Sequence, residues 1–270
     1  MKIVSFNINS IRARPHQIEH LRDTIDPDII GLQETKVNDP EFPLELINKI
    51  GYHAEFWGQK GHYGVAILSK VKPINTIKGF MKDSEEDQKR FIQCKYKYNN
   101  TEIVVMNGYF PQGENINHET KFPKKIKYFD DLRNHIIDLK KTEKNLIVMG
   151  DFNVSPEDID IGIGDENAKR WLRTGKTSFQ PQEREMWNSI KNLGFLDSWR
   201  EIFPNESSVY SWFDYRSRMF DQNPKRGLRI DHILLSENLK KHIKNVGIDY
   251  DARAMEKPSD HCPVWLEING

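Results

Sequence analysis

An α/β fold is predicted for this chain, because short runs rich in apolar and β-branched residues alternate along it with longer amphipathic ones. Two further observations bound that reading. The 270 residues can bury a substantial core. No low-complexity linker or short-period repeat divides them, so a single domain over 1–270 is expected.

The strands expected are KIVSFN (2–7), DIIGLQE (28–34), GVAILS (64–69), FIQCKYKY (91–98), EIVVMNGY (102–109), LIVMGDFN (146–153), LRIDHILLS (228–236) and CPVWLEI (262–268), all of lengths that suit buried strands. Helices are expected around 14–25, 40–50, 123–141 and 182–193. In 123–141, Ile126, Phe129, Leu132, Ile136 and Leu139 keep helical spacing with charged residues between them, which reads as one apolar stripe and one solvated face. The segment 155–181 is poor in strand signals and reads as a long excursion carrying short helices.

Composition narrows the function classes. Forty basic side chains balance forty acidic ones, which excludes a globally polybasic nucleic-acid binder but leaves room for a local basic face. Two cysteines, Cys94 and Cys262, are too few and too far apart for a disulfide framework or zinc cluster. The opening MKIVSFNINSIR has neither a long apolar segment nor a small-residue cleavage pattern, and no run approaches the roughly 20 apolar residues of a membrane span. A soluble, cytoplasmic protein without membrane contact is expected.

The strand ends carry the chemistry. Asn7, Glu34, Tyr109 and the pair Asp151 and Asn153 close four of the expected strands; Asp231 lies within another, and Asp260 and His261 precede the last. Sites in α/β proteins gather where strands hand over to loops. Side chains two apart on a strand share a face, so Asp151 and Asn153 are aimed together while Phe152 points away. If Glu34, Asp151, Asp231 and Asp260 converge, they repel, by roughly 4 kcal/mol for unit charges about 4 Å apart at an effective dielectric near 20. Such a cluster needs a cation, a histidine or a shared proton. Oxygen donors beside an amide suit a hard ion such as Mg²⁺, which favours phosphate substrates.

On these residues and their flanks the chain resembles the endonuclease/exonuclease/phosphatase family. The stretches SFNINSIRAR, GLQETK, GQKGHYGVAILSK, MNGYFPQGE, KFPKK, MGDFNVSP, DIDIGIG, KRWLRTGK, SWFDYRS, GLRID and EKPSDHCPVW carry the resemblance from residue 5 to residue 265. QET, GDFN and SDH are common to the wider family, which includes lipid and inositol phosphatases. NGYFPQG, RWLRTGK and SWFDYRS are specific to its exonuclease III branch. The resemblance implies a four-layer sandwich of two mixed β-sheets flanked by helices, with the site at one end.

It also implies roles. Glu34 is then the main Mg²⁺ ligand, supported by Asn7, with Asp151, Asn153 and Asp260 near the metal and Mn²⁺ able to substitute. Asp151 handles the proton of the attacking water or the leaving oxygen, and Asn153 holds a non-bridging phosphate oxygen. Tyr109 contacts the phosphate or the departing 3′-oxygen. Asp260 orients His261, which stabilises charge or acts as base, and Asp231 supports the metal site or the catalytic network. Gln112, Arg170, Trp212, Leu228 and Ile230 contact DNA, Trp212 with Leu228 and Ile230 lining a pocket for an extruded abasic sugar. The implied enzyme is a Mg²⁺-dependent, monomeric DNA repair nuclease acting on double-stranded DNA with abasic sites or 3′ ends, as exonuclease, apurinic/apyrimidinic endonuclease and 3′-phosphatase. The alternatives are a phosphoesterase of the same family acting on a lipid or small phosphate ester, and a DNA-binding module without catalysis.

The basic, aromatic-rich segments KRWLRTGK (169–176) and YRSRMFDQNPKRGLR (215–229) support DNA contact through phosphates and apolar wedging. Other signals are discounted. His16 and His20 have helical i, i+4 spacing but no third ligand, so they read as a solvated face. GQKGHYG reads as a turn feeding a strand, Cys262 as core, and His232 as a structural residue pointing away from Asp231.

Overall fold

The computed structural model describes residues 1–84, 86–98 and 101–269. In chain order its elements are β1 (Lys2–Asn7), α1 (Pro15–Thr24), β2 (Ile29–Gln33), α2 (Leu44–Lys49), β3 (His53–Trp57), β4 (Val65–Ser69), β5 (Asn75–Lys78), β6 (Phe91–Tyr98) and β7 (Thr101–Tyr109). They continue with α3 (Lys121–Leu139), β8 (Leu146–Asp151), α4 (Asp165–Thr174), α5 (Pro181–Lys191), β9 (Phe195–Asp197), α6 (Ser198–Ile202), β10 (Asp231–Ser236), β11 (Ile243–Ile248), α7 (Tyr250–Ala254) and β12 (Val264–Ile268). The strands form two six-stranded sheets, ordered β11-β12-β1-β2-β4-β3 and β5-β6-β7-β8-β10-β9. In each sheet one central pair is parallel, β1 with β2 and β7 with β8.

Parity along the strands decides the layers. Ile3, Ile29 and Ile67 of the first sheet meet Val105, Ile147 and Ile233 of the second in one core between the sheets. Their neighbours face outward. Val4, Phe6, Leu32 and Leu68 pack with Ile18 and Leu21 of α1 and Ile47 of α2. Met106, Val148 and Leu234 pack with Phe129, Leu132 and Ile136 of α3 and with Trp187 and Ile190 of α5. The order helix, sheet, sheet, helix is the four-layer α/β sandwich that the resemblance implies. Strands buried on both faces need apolar residues on both, which is why they read as continuous apolar runs. Asn107 of β7 is a polar exception in the seam, donating across it to the carbonyls of Leu32 and Ala66 at 2.9 Å each.

Several boundaries differ from those read in the sequence. The strand expected over 146–153 stops at Asp151, because Asn153 takes a left-handed φ of 52°. Those expected from 228 and 262 begin at Asp231 and Val264. The strands β3, β5, β9 and β11 and the short helices α6 and α7 carry no pattern strong enough to be expected. α4 is a helix within the 155–181 excursion, and 58–64 lead into β4 as a turn. Of the two histidines expected on a solvated face, His16 keeps its ring near the surface, with Nε2 3.0 Å from the Glu256 carbonyl, whereas His20 is largely covered, with Nε2 2.9 Å from Asp249 Oδ2. Cys262 is fully buried, as expected. Among the described residues no helix is long and apolar enough to cross a membrane.

Candidate active site

The inward rows of four strands finish at one end of the sandwich, and each finishes on a polar residue. After Ile3 comes Asn7 on β1; after Ile103 and Val105, Tyr109 on β7; after Ile147 and Met149, Asp151 on β8; and beyond Ile233, Asp231 on β10. Register brings three of these side by side, since Tyr109 pairs with Asp151 in the parallel ladder and Asp151 with Asp231 in the antiparallel one. The approach to Asp151 requires glycine. A Cβ on Gly150 would sit 1.9 Å from the Gly108 carbonyl oxygen in the neighbouring strand.

Hydrogen bonds knit the row across the two sheets. The Asn7 side chain donates to Glu34 Oε1 at 2.9 Å and to Asp151 Oδ2 at 3.0 Å, so one amide bridges two acids. Glu34 follows β2 with a left-handed φ of 53°, and Lys36 Nζ lies 2.9 Å from its other oxygen. Lys36 also donates to Asn9, which donates in turn to Asp260 Oδ1 at 3.0 Å. Asn153 returns its backbone N–H to Asp151 Oδ1 at 3.0 Å and donates its side-chain amide to the Phe110 carbonyl. Asp151 and Asn153 both line the cavity, while Phe152 turns away and stacks on Phe110 with centroids 4.0 Å apart.

One implied role is corrected here. Asp260 does not orient His261. His261 Nδ1 lies 2.8 Å from Asp231 Oδ2, and that oxygen also accepts the Ser211 hydroxyl at 2.7 Å. Asp260 instead receives the Trp212 indole N–H at 3.1 Å. Adjacent residues leaving a turn diverge, which separates Asp260 from the ring of its neighbour and leaves a residue of the opposite sheet to hold the imidazole. Asp151, Asp231 and His261 lie close enough for one atom of each to fall within 4.8 Å of the others, a group that could hold a metal ion.

Burial and charge set the proton affinities. Burial drives the Asp151 carboxyl up to about 7, aided by the Asp231 charge and opposed by His261. For His261 burial acts the other way, yet the Asp231 and Asp151 charges overcome it and raise the imidazole to about 10. Asp260 stays below the ordinary carboxylate range despite burial, held by the His261 charge and the Trp212 and Asn9 hydrogen bonds. The Tyr109 phenol is pushed well up by burial and the Glu34 charge, so it remains a hydrogen-bond donor at neutral pH. Arg90 fixes that phenol from behind, its guanidinium 4.5 Å from the ring centroids of both Tyr109 and Tyr63.

A cavity of about 420 Å³ opens over these groups. Trp212, Leu228 and Ile230 form its apolar wall, and Glu34, Tyr109, Gln112, Asp151, Asn153, Asp260 and His261 reach it as well. Asn7 and Asp231 stand behind as supports. Arg170 does not line it; its guanidinium is exposed and bonded to Asn167. The cavity is reached instead by Trp171 and by Lys176, whose Nζ sits 3.6 Å from the Trp171 ring centroid. Both lie in the KRWLRTGK segment, so the segment was legible and the residue within it was not. Asn9 and Ser211, in SFNINSIRAR and SWFDYRS, were also missed; only flanking position in a recognised motif could have signalled them. His232 points to the helical layer, as expected, with Nδ1 2.9 Å from Arg229 Nη1 and Nε2 2.8 Å from the Val154 carbonyl.

Comparison with known proteins identifies the family. Residues 4–261 match the model of the Endonuclease/Exonuclease/phosphatase family. The chain is 52% identical to exodeoxyribonuclease III of Haemophilus influenzae, over 99% of this chain and 100% of that one. A 3′ phosphatase from Neisseria, solved with a product DNA hairpin, superposes with a TM-score of 0.91 at 34% identity and full coverage of both chains. An AP endonuclease from Archaeoglobus fulgidus gives 0.88 at 34% identity, again over the whole of both.

Proposed function

The chain belongs to the endonuclease/exonuclease/phosphatase family, and from that premise we infer that it is a DNA repair nuclease of the exonuclease III type. The observation that carries the assignment to a site is the convergence of four strand ends at one cavity, which Tyr109, Asp151 and His261 line while Asn7 and Asp231 hold Asp151 and His261 from behind.

Hydrolysis of a phosphodiester needs an activated water, charge stabilisation at phosphorus and help for the leaving oxygen. Asp151, with a carboxyl near neutrality, accepts a proton from water or returns one to the departing oxygen. Asp231 binds His261 through Nδ1 and keeps it an imidazolium, which leaves Nε2–H for a phosphate oxygen. Asn153 spends one amide hydrogen on the Phe110 carbonyl and keeps another for a second phosphate oxygen. Tyr109, protonated and held by Arg90, donates to the leaving 3′-oxygen.

The donor set fits Mg²⁺, with Mn²⁺ as substitute. Glu34 and Asp151, both oxygen donors, flank the Asn7 amide, and Glu34 already attracts the Lys36 ammonium. Glu34 would hold the ion, supported by Asn7 and Asp151. When bound it supplies positive charge against the charge developing on the phosphate.

The wall formed by Trp212, Leu228 and Ile230 supports recognition of an abasic sugar, which an apolar surface accepts by fit while a nucleotide with its base is too large. Abasic duplexes and 3′ ends are therefore the proposed substrates, acted on by a monomer. The test is incubation of the protein with an abasic duplex, a duplex with a 3′ end, and a lipid phosphate ester, each with Mg²⁺ and with EDTA. Cleavage of the duplexes alone, abolished by EDTA, is expected. Hydrolysis of the lipid ester alone would transfer the chain to the phosphatases of the family.

A further inference from the structure

Beneath the cavity floor lies a lysine to which the proposed chemistry gives no part. Lys125 of α3 is fully buried, and its ammonium donates to the Asn153 carbonyl at 2.9 Å, to the Gln112 carbonyl at 3.3 Å, and to Glu183 of α5. Glu183 is equally buried, and its second oxygen accepts the backbone N–H of Ser178 at 2.7 Å and of Gln180 at 2.9 Å. Gln112, Asn153 and Ser178 all line the cavity, and they come from three loops far apart in the chain. One ion pair thus ties all three.

The backbone at these points needs tying. Ser178 has a φ of 119°, a conformation that a side-chain-bearing residue holds only when its surroundings over-determine it, and Asn153 a left-handed φ of 52°, which asparagine tolerates better than most residues. The two loops also join directly, Ser155 N–H to the Ser178 carbonyl at 2.6 Å. Gly113, with a φ of 88°, lets the third loop lie against the lysine stem; a Cβ there would come within 3.3 Å of Lys125 Cδ. A charged pair removed from water is costly to keep and often neutral to replace with apolar groups. Stability alone is therefore a weak reason for this one.

We propose that Lys125 is a positioning residue, which with Glu183 clamps the Gln112, Asn153 and Ser178 loops in the geometry the cavity needs for phosphodiester hydrolysis. The proposal rests on reading this cavity as the reaction site. Loss of the clamp should displace Asn153 relative to Asp151, and a misplacement of about 1 Å can cost roughly a hundredfold in rate.

The test separates positioning from folding. Lys125→Met leaves Glu183 charged and unpaired, and its melting temperature should fall. Lys125→Met combined with Glu183→Gln removes both charges and should recover most of that loss. If the pair were only structural, turnover would recover with it. The expected result is a kcat on duplex DNA still about ten- to a hundredfold below the parent, with KM changed far less, and faster amide exchange at 110–114, 153–155 and 176–180. Parental kcat and parental exchange in the double variant would overturn the proposal. If the double variant does not fold, Lys125→Arg keeps the cation but exchanges a rotating tetrahedral donor for a rigid planar fork, and the same two readouts decide. Should the parent cleave no DNA, the nuclease reading fails by itself, while the exchange comparison still decides the clamp.

Discussion

His261 and His232 are both buried and flank the same strand, yet their protonation is opposite. His261 meets Asp231 and Asp151 on the inner face of β10 and is raised to about 10. His232, one residue after Asp231, faces the helical layer, where burial and the neighbouring Arg229 charge lower it to about 4. Burial lowers both; the sign of the neighbouring charge decides the outcome. The inner face therefore offers a charged imidazole to a substrate anion, and the outer face uses a neutral one to join Arg229 to the Val154 carbonyl. One histidine belongs to the chemistry and the other to the scaffold that aims the cavity wall.

The comparison breaks most severely at Arg229. Its guanidinium is buried between Asp160, at 2.6 Å, and Asp197, at 2.8 Å, and its neighbours Leu228 and Ile230 form the apolar wall. Arg229→Met leaves two buried carboxylates short of a partner, and removing one member of such a pair typically costs about 3–5 kcal/mol. Urea denaturation at pH 7 measures this; a loss within experimental error would mean that the network contributes little to holding the wall.

His232 gives a smaller effect with a defined pH window. The folded protein keeps it neutral down to about 4, while the unfolded chain takes up a proton below its ordinary value of 6.5. Stability is therefore complete above 6.5 and is lost as pH falls from 6.5 through 4, by on the order of 3 kcal/mol. His232→Phe should flatten that part of the profile. Parallel profiles for the parent and the variant would show that His232 is not the group responsible.

The smallest effect belongs to the wall itself. Trp212→Ala should slow abasic-duplex cleavage about ten- to a hundredfold, as for a loss of 1–3 kcal/mol of stacking, and slow a small activated phosphodiester less. Equal losses on both substrates, in a variant with an unchanged circular dichroism spectrum, would assign Trp212 to the scaffold.

What could be read from the sequence follows the same division between interior and edge. The eight interior strands of the two sheets were all legible, because most are buried on both faces and read as apolar runs, while β6 and β12 keep an alternating apolar row. The four that were not, β3, β5, β9 and β11, are the four sheet edges. Sequences such as NTIK and IKNVGI pair on one side only and carry polar residues toward water. In the site, Asn7, Tyr109, Asp151 and Asp231 were legible because each interrupts an apolar row. Partnerships across loops were not. That Asp231 rather than Asp260 holds His261, or that Lys125 reaches Asn153, depends on how distant segments pack, and no local periodicity records it.

The central claim is that Asp151, raised by burial at the end of its strand, moves the proton in phosphodiester hydrolysis. Its most direct test is single-turnover cleavage of an abasic duplex by the parent and by Asp151→Asn at saturating Mg²⁺, beside equilibrium binding of the same duplex. Cleavage should fall by about 10² to 10⁴, the usual worth of a positioned proton-transfer group, while binding is kept or tightened as repulsion from the phosphate is removed. A variant that binds the duplex and cleaves it at the parental rate would contradict the account.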